Sequence, residues 1–135
     1  MKILIADGSK ILREKLIRYL KLENYFDGVL EANTVKEAKL IMQKQRIDVV
    51  LFDIQLPDKS GLELVSLGNR LFHKPLMIVC SNYALPQYKN TYENLAVHYF
   101  FDKSSELVQL KTFIKELVKE QKENSKSLLH KLNQK

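Results

Sequence analysis

Short runs of consecutive apolar residues alternate along the chain with longer stretches in which apolar residues recur at helical spacing. Ile3-Leu4-Ile5-Ala6, Val49-Val50-Leu51-Phe52 and Leu76-Met77-Ile78-Val79-Cys80 are apolar throughout; Val29-Leu30 is a weaker run, and Val97 to Phe101 makes a fifth. Runs of this length predict strands. Ile11, Leu12, Leu16, Ile17 and Leu20 mark a first helix, Val35, Ala38, Leu40, Ile41 and Met42 a second, and Leu62, Leu64, Val65, Leu67 and Leu71 a third. Thr34, with Glu37 three residues on, reads as a capping box at the start of the second helix. Pro86 to Leu95 predicts a short, polar, tyrosine-bearing fourth helix, and a long fifth helix follows from about Ser104.

Strands that are apolar along their whole length are covered on both faces, as in parallel sheets. Their crossovers through helices are right-handed almost without exception. The predicted fold is therefore α/β: a doubly wound five-stranded parallel sheet with helices on both faces. Residues 1–120 are expected to form the domain. Residues 121–135, where the strong apolar period fades and Leu128, Leu129 and Leu132 leave only a faint stripe, are expected to be a basic extension of the last helix or a tail.

Composition narrows the function. With 135 residues, 45% of them hydrophobic and 28% charged, the chain has room for one domain with a substantial core. No window approaches the ~20 apolar residues that cross a bilayer, and the apolar start stops at Asp7, too short for a signal peptide. No membrane partner is expected. The single Cys80 cannot form an internal disulfide and suits a reducing compartment, so the cytoplasm is the expected location. A net charge of +6 invites a nucleic-acid reading. Yet Lys111, Lys115, Lys119, Lys122, Lys126, Lys131 and Lys135 are mixed with Glu106, Glu116, Glu120 and Glu123, the pattern of a solvated helix face. Direct nucleic-acid binding is not expected.

The chemistry lies where the strands stop. The first ends in Asp7, the third in Asp53, the fourth in Ser81 and the fifth in Phe101-Asp102-Lys103. In a doubly wound sheet these ends share one edge, and ligands bind beyond it where strand order reverses. Two carboxylates suit a hard divalent cation, and magnesium typically takes one or two of them. A carboxylate is also a competent nucleophile toward a phosphoryl group, whose oxygens a lysine and a hydroxyl would stabilise. Each residue alone fits an ordinary role: the aspartates and Ser81 as turn residues or caps, Lys103 as a solvated charge. His73, His98 and His130 lack ligand spacing, and Gly8 and Gly61 do not make a phosphate-cradling glycine motif. Cys80 reads as a small apolar strand residue. Tyr83, Tyr88 and Tyr92 either enrich a partner surface or pack locally.

Several motifs carry a resemblance. Ile3-Leu4-Ile5-Ala6-Asp7-Gly8-Ser9, with Arg13 and Leu16 beyond it, looks like the opening of bacterial response-regulator receiver domains. Asp48-Val49-Val50-Leu51-Phe52-Asp53-Ile54-Gln55-Leu56-Pro57-Asp58, followed by Ser60-Gly61-Leu62-Glu63, resembles their phosphoacceptor strand and loop. Met77 to Ser81 and His98 to Ser104 resemble their fourth and fifth strands, all in order from Met1 to about Val118. The resemblance implies the flavodoxin-like strand order 2-1-3-4-5. It implies that Asp53 is the phosphoacceptor, and that Asp7, Asp53 and the backbone carbonyl of Gln55 hold magnesium. Ser81 and Lys103 would engage the phosphoryl oxygens, and Ser81 and Phe100 would act as the switch, although Phe100 also reads as an ordinary core aromatic. A histidine kinase or phosphotransfer protein would be the donor. A downstream protein would be met through the face of the fourth helix, fifth strand and fifth helix, with a homodimer possible.

Three positions depart from the family pattern. Gly8 stands where a second acid usually contacts magnesium, so metal binding should weaken. Asn82 replaces a small residue after Ser81 and could crowd the pocket. Ser104 replaces a common proline, and Ser104 or Ser105 could cap the last helix. Gly8 supports an alternative, an atypical receiver that binds partners without phosphorylation. The enzyme alternative, an aspartyl-nucleophile phosphohydrolase, wants a second Asp two residues after Asp53, where the chain has Gln55. A module without catalytic turnover is the expectation.

Overall fold

The computed structural model describes residues 1–82 and 97–133, with the side chains of residues 125–130 outside that description. The elements run β1 (Lys2–Ala6), α1 (Lys10–Leu22), β2 (Gly28–Ala32), α2 (Val35–Lys44), β3 (Val49–Phe52), α3 (Glu63–Arg70), β4 (Leu76–Ser81), β5 (Tyr99–Asp102) and α4 (Leu107–Asn133). The helix predicted over Pro86 to Leu95 lies outside the described residues, as do Tyr83, Tyr88 and Tyr92.

The five strands form one sheet in the order β2-β1-β3-β4-β5, and every pairing is parallel. Alternate strand residues face opposite layers, because side chains alternate across a strand. Leu4, Val50, Phe52, Met77 and Val79 pack with Val35, Ala38 and Met42 of α2 and Leu64, Val65 and Leu67 of α3. Ile3, Ile5, Val49, Leu51, Ile78 and Cys80 pack with Leu16 and Leu20 of α1 and Leu110, Ile114 and Val118 of α4. Both faces are thus covered, which is why β1, β3 and β4 read as unbroken apolar runs.

Local chemistry sets the helix starts, with two corrections to the sequence reading. Ser9 caps α1 by accepting the Leu12 N–H at 3.3 Å. Thr34 caps α2 by accepting the Glu37 N–H at 3.1 Å. The Glu37 carboxylate, however, reaches the N–H of Asn33 at 2.8 Å, so the capping box closes one residue earlier than predicted. Neither Ser104 nor Ser105 caps the last helix. Instead both donate backbone N–H groups to the carboxylate of Asp102, at 2.8 and 3.2 Å, and Glu106 accepts the Asp102 N–H at 2.9 Å. An ionised carboxylate is a stronger acceptor than a serine hydroxyl, and it takes the free amides of the turn. These bonds hold the Asp102 carboxyl below the usual carboxylate range, those from Ser104 foremost.

Candidate functional site

The strand order reverses between β1 and β3, and the residues following these strands are Asp7 and Asp53. Their backbones continue the sheet ladder: the Asp7 N–H bonds Ala32 O at 3.1 Å, and the Asp53 N–H bonds Ala6 O at 2.9 Å. The two carboxylates therefore emerge in register at adjacent strand ends, and both residues are buried. Ser81 ends β4 and is fully buried, while Lys103 follows β5 with its N–H on Ser81 O at 3.2 Å.

The side chains converge. Lys103 Nζ lies 2.8 Å from Asp7 Oδ2 and 2.7 Å from Asp53 Oδ2. The ammonium also reaches Asp7 Oδ1 at 3.0 Å, so it spans both carboxylates. Ser81 Oγ donates to Asp53 Oδ1 at 2.7 Å, and the Gln55 N–H donates to the same oxygen at 3.1 Å. Burial opposes the charge of Lys103, but the bonds to Asp53 and Asp7 outweigh it and hold its pKa above the ordinary lysine value. Donors of this kind, fixed around a carboxylate in a partly dry pocket, are placed to stabilise negative charge that develops there.

Other expected residues fall around this centre. Phe100 lies in β5, half-buried against the α2–α3 side of the core. Asn82 is exposed. Gln55 joins the site through its N–H, in a loop closed by an antiparallel bridge to Ser60. Glu14 pairs with Lys10 on the exposed face of α1. His73 sits 3.0 Å from Asp48, and His98 Nδ1 accepts the Met77 N–H at 3.0 Å, so both are engaged at strand edges. Burial, with Asp7 nearby, pushes the Cys80 thiol up to about 12. It is therefore a poor nucleophile at neutral pH.

The supports of the site were less visible in the sequence. Arg13 is buried and donates Nη1 to the Asp7 carbonyl and, at 3.2 Å, to Asn33. Its Nε bonds Glu31 at 3.2 Å, so it ties α1 and β2 behind Asp7. Gly61 is required by close approach: a Cβ there would lie 2.1 Å from the Asp53 carbonyl oxygen. A Cβ on Gly8 would lie 3.2 Å from Cδ of Pro57 and 3.3 Å from its Cγ, so the ring packs against the glycine.

A hard divalent cation can be tested against this donor set. Asp7 and Asp53 supply carboxylate oxygens, and among the described residues no group of three or more His, Cys, Asp or Glu side chains is placed to hold a metal. Magnesium commonly binds through one or two carboxylates with water and phosphate oxygens completing its shell, so the pair fits a lightly held ion.

A doubly wound parallel sheet with two carboxylates, a lysine and a hydroxyl at its switch point defines a class of α/β domain with a charged ligand site at the carboxyl edge of the sheet. The chain belongs to the response regulator receiver domain family, whose model matches residues 3–115. It is 31% identical over 104 residues to the sensory transduction protein LytR of Streptococcus agalactiae, a match covering 73% of this chain and 41% of the relative. The chain thus spans less than half the length of that curated relative. Among solved structures it is similar to a CheY-like response regulator receiver domain protein from Methanospirillum hungatei. That pair shares 27% identity at a TM-score of 0.78, over 91% of this chain and 97% of the other. It is also similar to the N-terminal domain of an uncharacterized protein from Wolinella succinogenes, at 27% identity and a TM-score of 0.77, over 93% and 98% of the two chains. No helix among the described residues is long and apolar enough to cross a membrane.

Proposed function

We propose that this receiver domain accepts a phosphoryl group on Asp53 and signals by protein contact. The observation that carries the reading is the set of bonds around one carboxylate: Lys103 on Oδ2, Ser81 and the Gln55 amide on Oδ1. An Asp53 oxygen attacks phosphorus. The bond from phosphorus to the donor nitrogen or oxygen breaks, its electron pair leaves with the donor, and an acyl phosphate remains on Asp53. The Lys103 ammonium and the Ser81 hydroxyl then move from the carboxylate to the phosphoryl oxygens. Asp7, Asp53 and the Gln55 carbonyl would hold magnesium, which when bound neutralises charge on those oxygens.

The donor is a histidine kinase or phosphotransfer protein, as is general for receiver domains, and the target is a downstream protein. Ser81 following the phosphoryl group, with Phe100 changing its packing, would bias two states of the surface formed by the predicted fourth helix, β5 and α4. A homodimer is compatible with the reading. Gly8 favours a second reading, a receiver that binds partners without magnesium-dependent phosphorylation. Incubation with acetyl phosphate and magnesium, followed by intact mass, separates the two: the first predicts one added phosphoryl group in the parent and none in Asp53→Asn, the second none in either.

A further inference from the structure

The segment from Asp53 to Leu62 joins β3 to α3 and carries Gln55 and Pro57. Two of its attachments are explained by the core and the site. Leu56 is buried among the residues of the α2–α3 side, and the Gly61 N–H bonds Ile54 O at 2.6 Å while its Cα lies against the Asp53 carbonyl. A third attachment touches neither directly. Asp58 is exposed, yet its Oδ1 accepts the Val35 N–H at 2.9 Å and its Oδ2 the Lys36 N–H at 3.1 Å.

Val35 and Lys36 are the first two residues of α2, whose opening amides have no acceptor within the helix. A carboxylate there is also favoured by the helix dipole. Thr34, the local cap, serves only Glu37. The helix therefore takes two of the three side-chain bonds to its opening amides from a loop that lies 22 and 23 residues further along the chain. A side chain that caps its own helix fixes that helix. A side chain that caps a distant helix also fixes the loop it comes from. Asp58 immediately follows Pro57, the ring seated on Gly8, and lies three residues beyond Gln55, whose N–H holds Asp53.

We propose that Asp58 is a positioning residue of the Asp53 site: by clamping its loop to the N-terminus of α2 it seats Pro57 against Gly8 and holds the Gln55 amide on Asp53. The effect on phosphoryl transfer rests on the function proposed above; the effect on the loop does not. The bond from Val35, more than any other influence, keeps the Asp58 carboxyl below the ordinary range, so the clamp is ionised at neutral pH.

Asp58→Ala, Asp58→Asn and Thr34→Ala test this together. Thr34→Ala removes a cap from the same helix and leaves the loop alone, so it reports the cost of weakening α2. Both alanine variants should melt lower than the parent. Only Asp58→Ala should speed amide exchange at Gln55 several-fold and slow labelling by acetyl phosphate by about tenfold or more, since small misplacements of a reacting group carry penalties of that order. Asp58→Asn, which keeps one acceptor oxygen, should recover part of both and serves in place of the alanine variant if that fails to fold. Gln55 exchange and labelling in Asp58→Ala no different from those in Thr34→Ala would overturn the proposal. A parent that takes no label contradicts the phosphoacceptor reading instead, and Gln55 exchange then decides the role of Asp58 by itself.

Discussion

Lys103 is the residue on which the charge balance of the pocket turns. Two buried carboxylates share its ammonium, with contacts of 2.7 and 2.8 Å. Its pKa stands above the ordinary lysine value of 10.5 in the folded chain. A raised pKa means that the stabilisation is fully present below the unfolded value and is lost as pH rises through the folded one. Lys103→Met leaves two carboxylates facing each other without their cation. It should be less stable at neutral pH, toward the lower end of the about 3–5 kcal/mol seen when one member of a buried pair is removed. The gap between parent and variant should narrow above pH 10.5. Urea melts at neutral and alkaline pH measure both; a gap that is absent at neutral pH shows that the ion pairs contribute nothing.

Gly8 bears on the same balance from the other side. Gly8→Asp adds a third carboxylate to the mouth of β1, where Pro57 must shift slightly to admit a Cβ. Like charges at this range repel, so the variant should melt lower than the parent without magnesium and gain more from its addition. Thermal melts with and without the ion test the pair of effects, and equal magnesium-induced shifts in the two proteins would place Gly8 away from the metal.

At the scale of elements, what was legible in the sequence was what depends on near neighbours. Strands covered on both faces have no polar alternation, so β1, β3 and β4 stand out, and the residues that end them are the ones that converge. Thr34 caps as its position suggests. Asp102 was missed as the turn-closing acceptor because two serines beside it offered a more familiar cap. Asp58 was passed over because its partners belong to a helix that precedes it in the chain, and no local spacing marks such a bond. The last helix shows a different limit. α4 runs to Asn133, about 40 Å at 1.5 Å per residue. Its last described buried residue is Val118, and Lys119–Asn124 and Lys131–Asn133 are exposed. Truncation after Glu123 should therefore leave a cooperative melt within a few degrees of the parent. A much larger drop would show that the end of the helix docks on the body.

For the whole molecule, the sheet separates two kinds of work. The α2–α3 layer carries the loop that frames Asp53, through Leu56, Asp58 and Gly61, whereas α1 and α4 close the opposite layer. The net charge of +6 is not concentrated in the pocket, where Lys103 is already matched by two aspartates. The central claim is that this arrangement makes Asp53 the acceptor of a phosphoryl group. Its most direct measurement is the location of the label. The chain is incubated with acetyl phosphate and magnesium, the acyl phosphate is reduced with borohydride, and the peptides are sequenced by mass spectrometry. Reduction turns a phosphorylated aspartate into homoserine, so homoserine should appear at position 53 and at no other aspartate. A label found at another residue, or no label on a folded chain, would contradict the account.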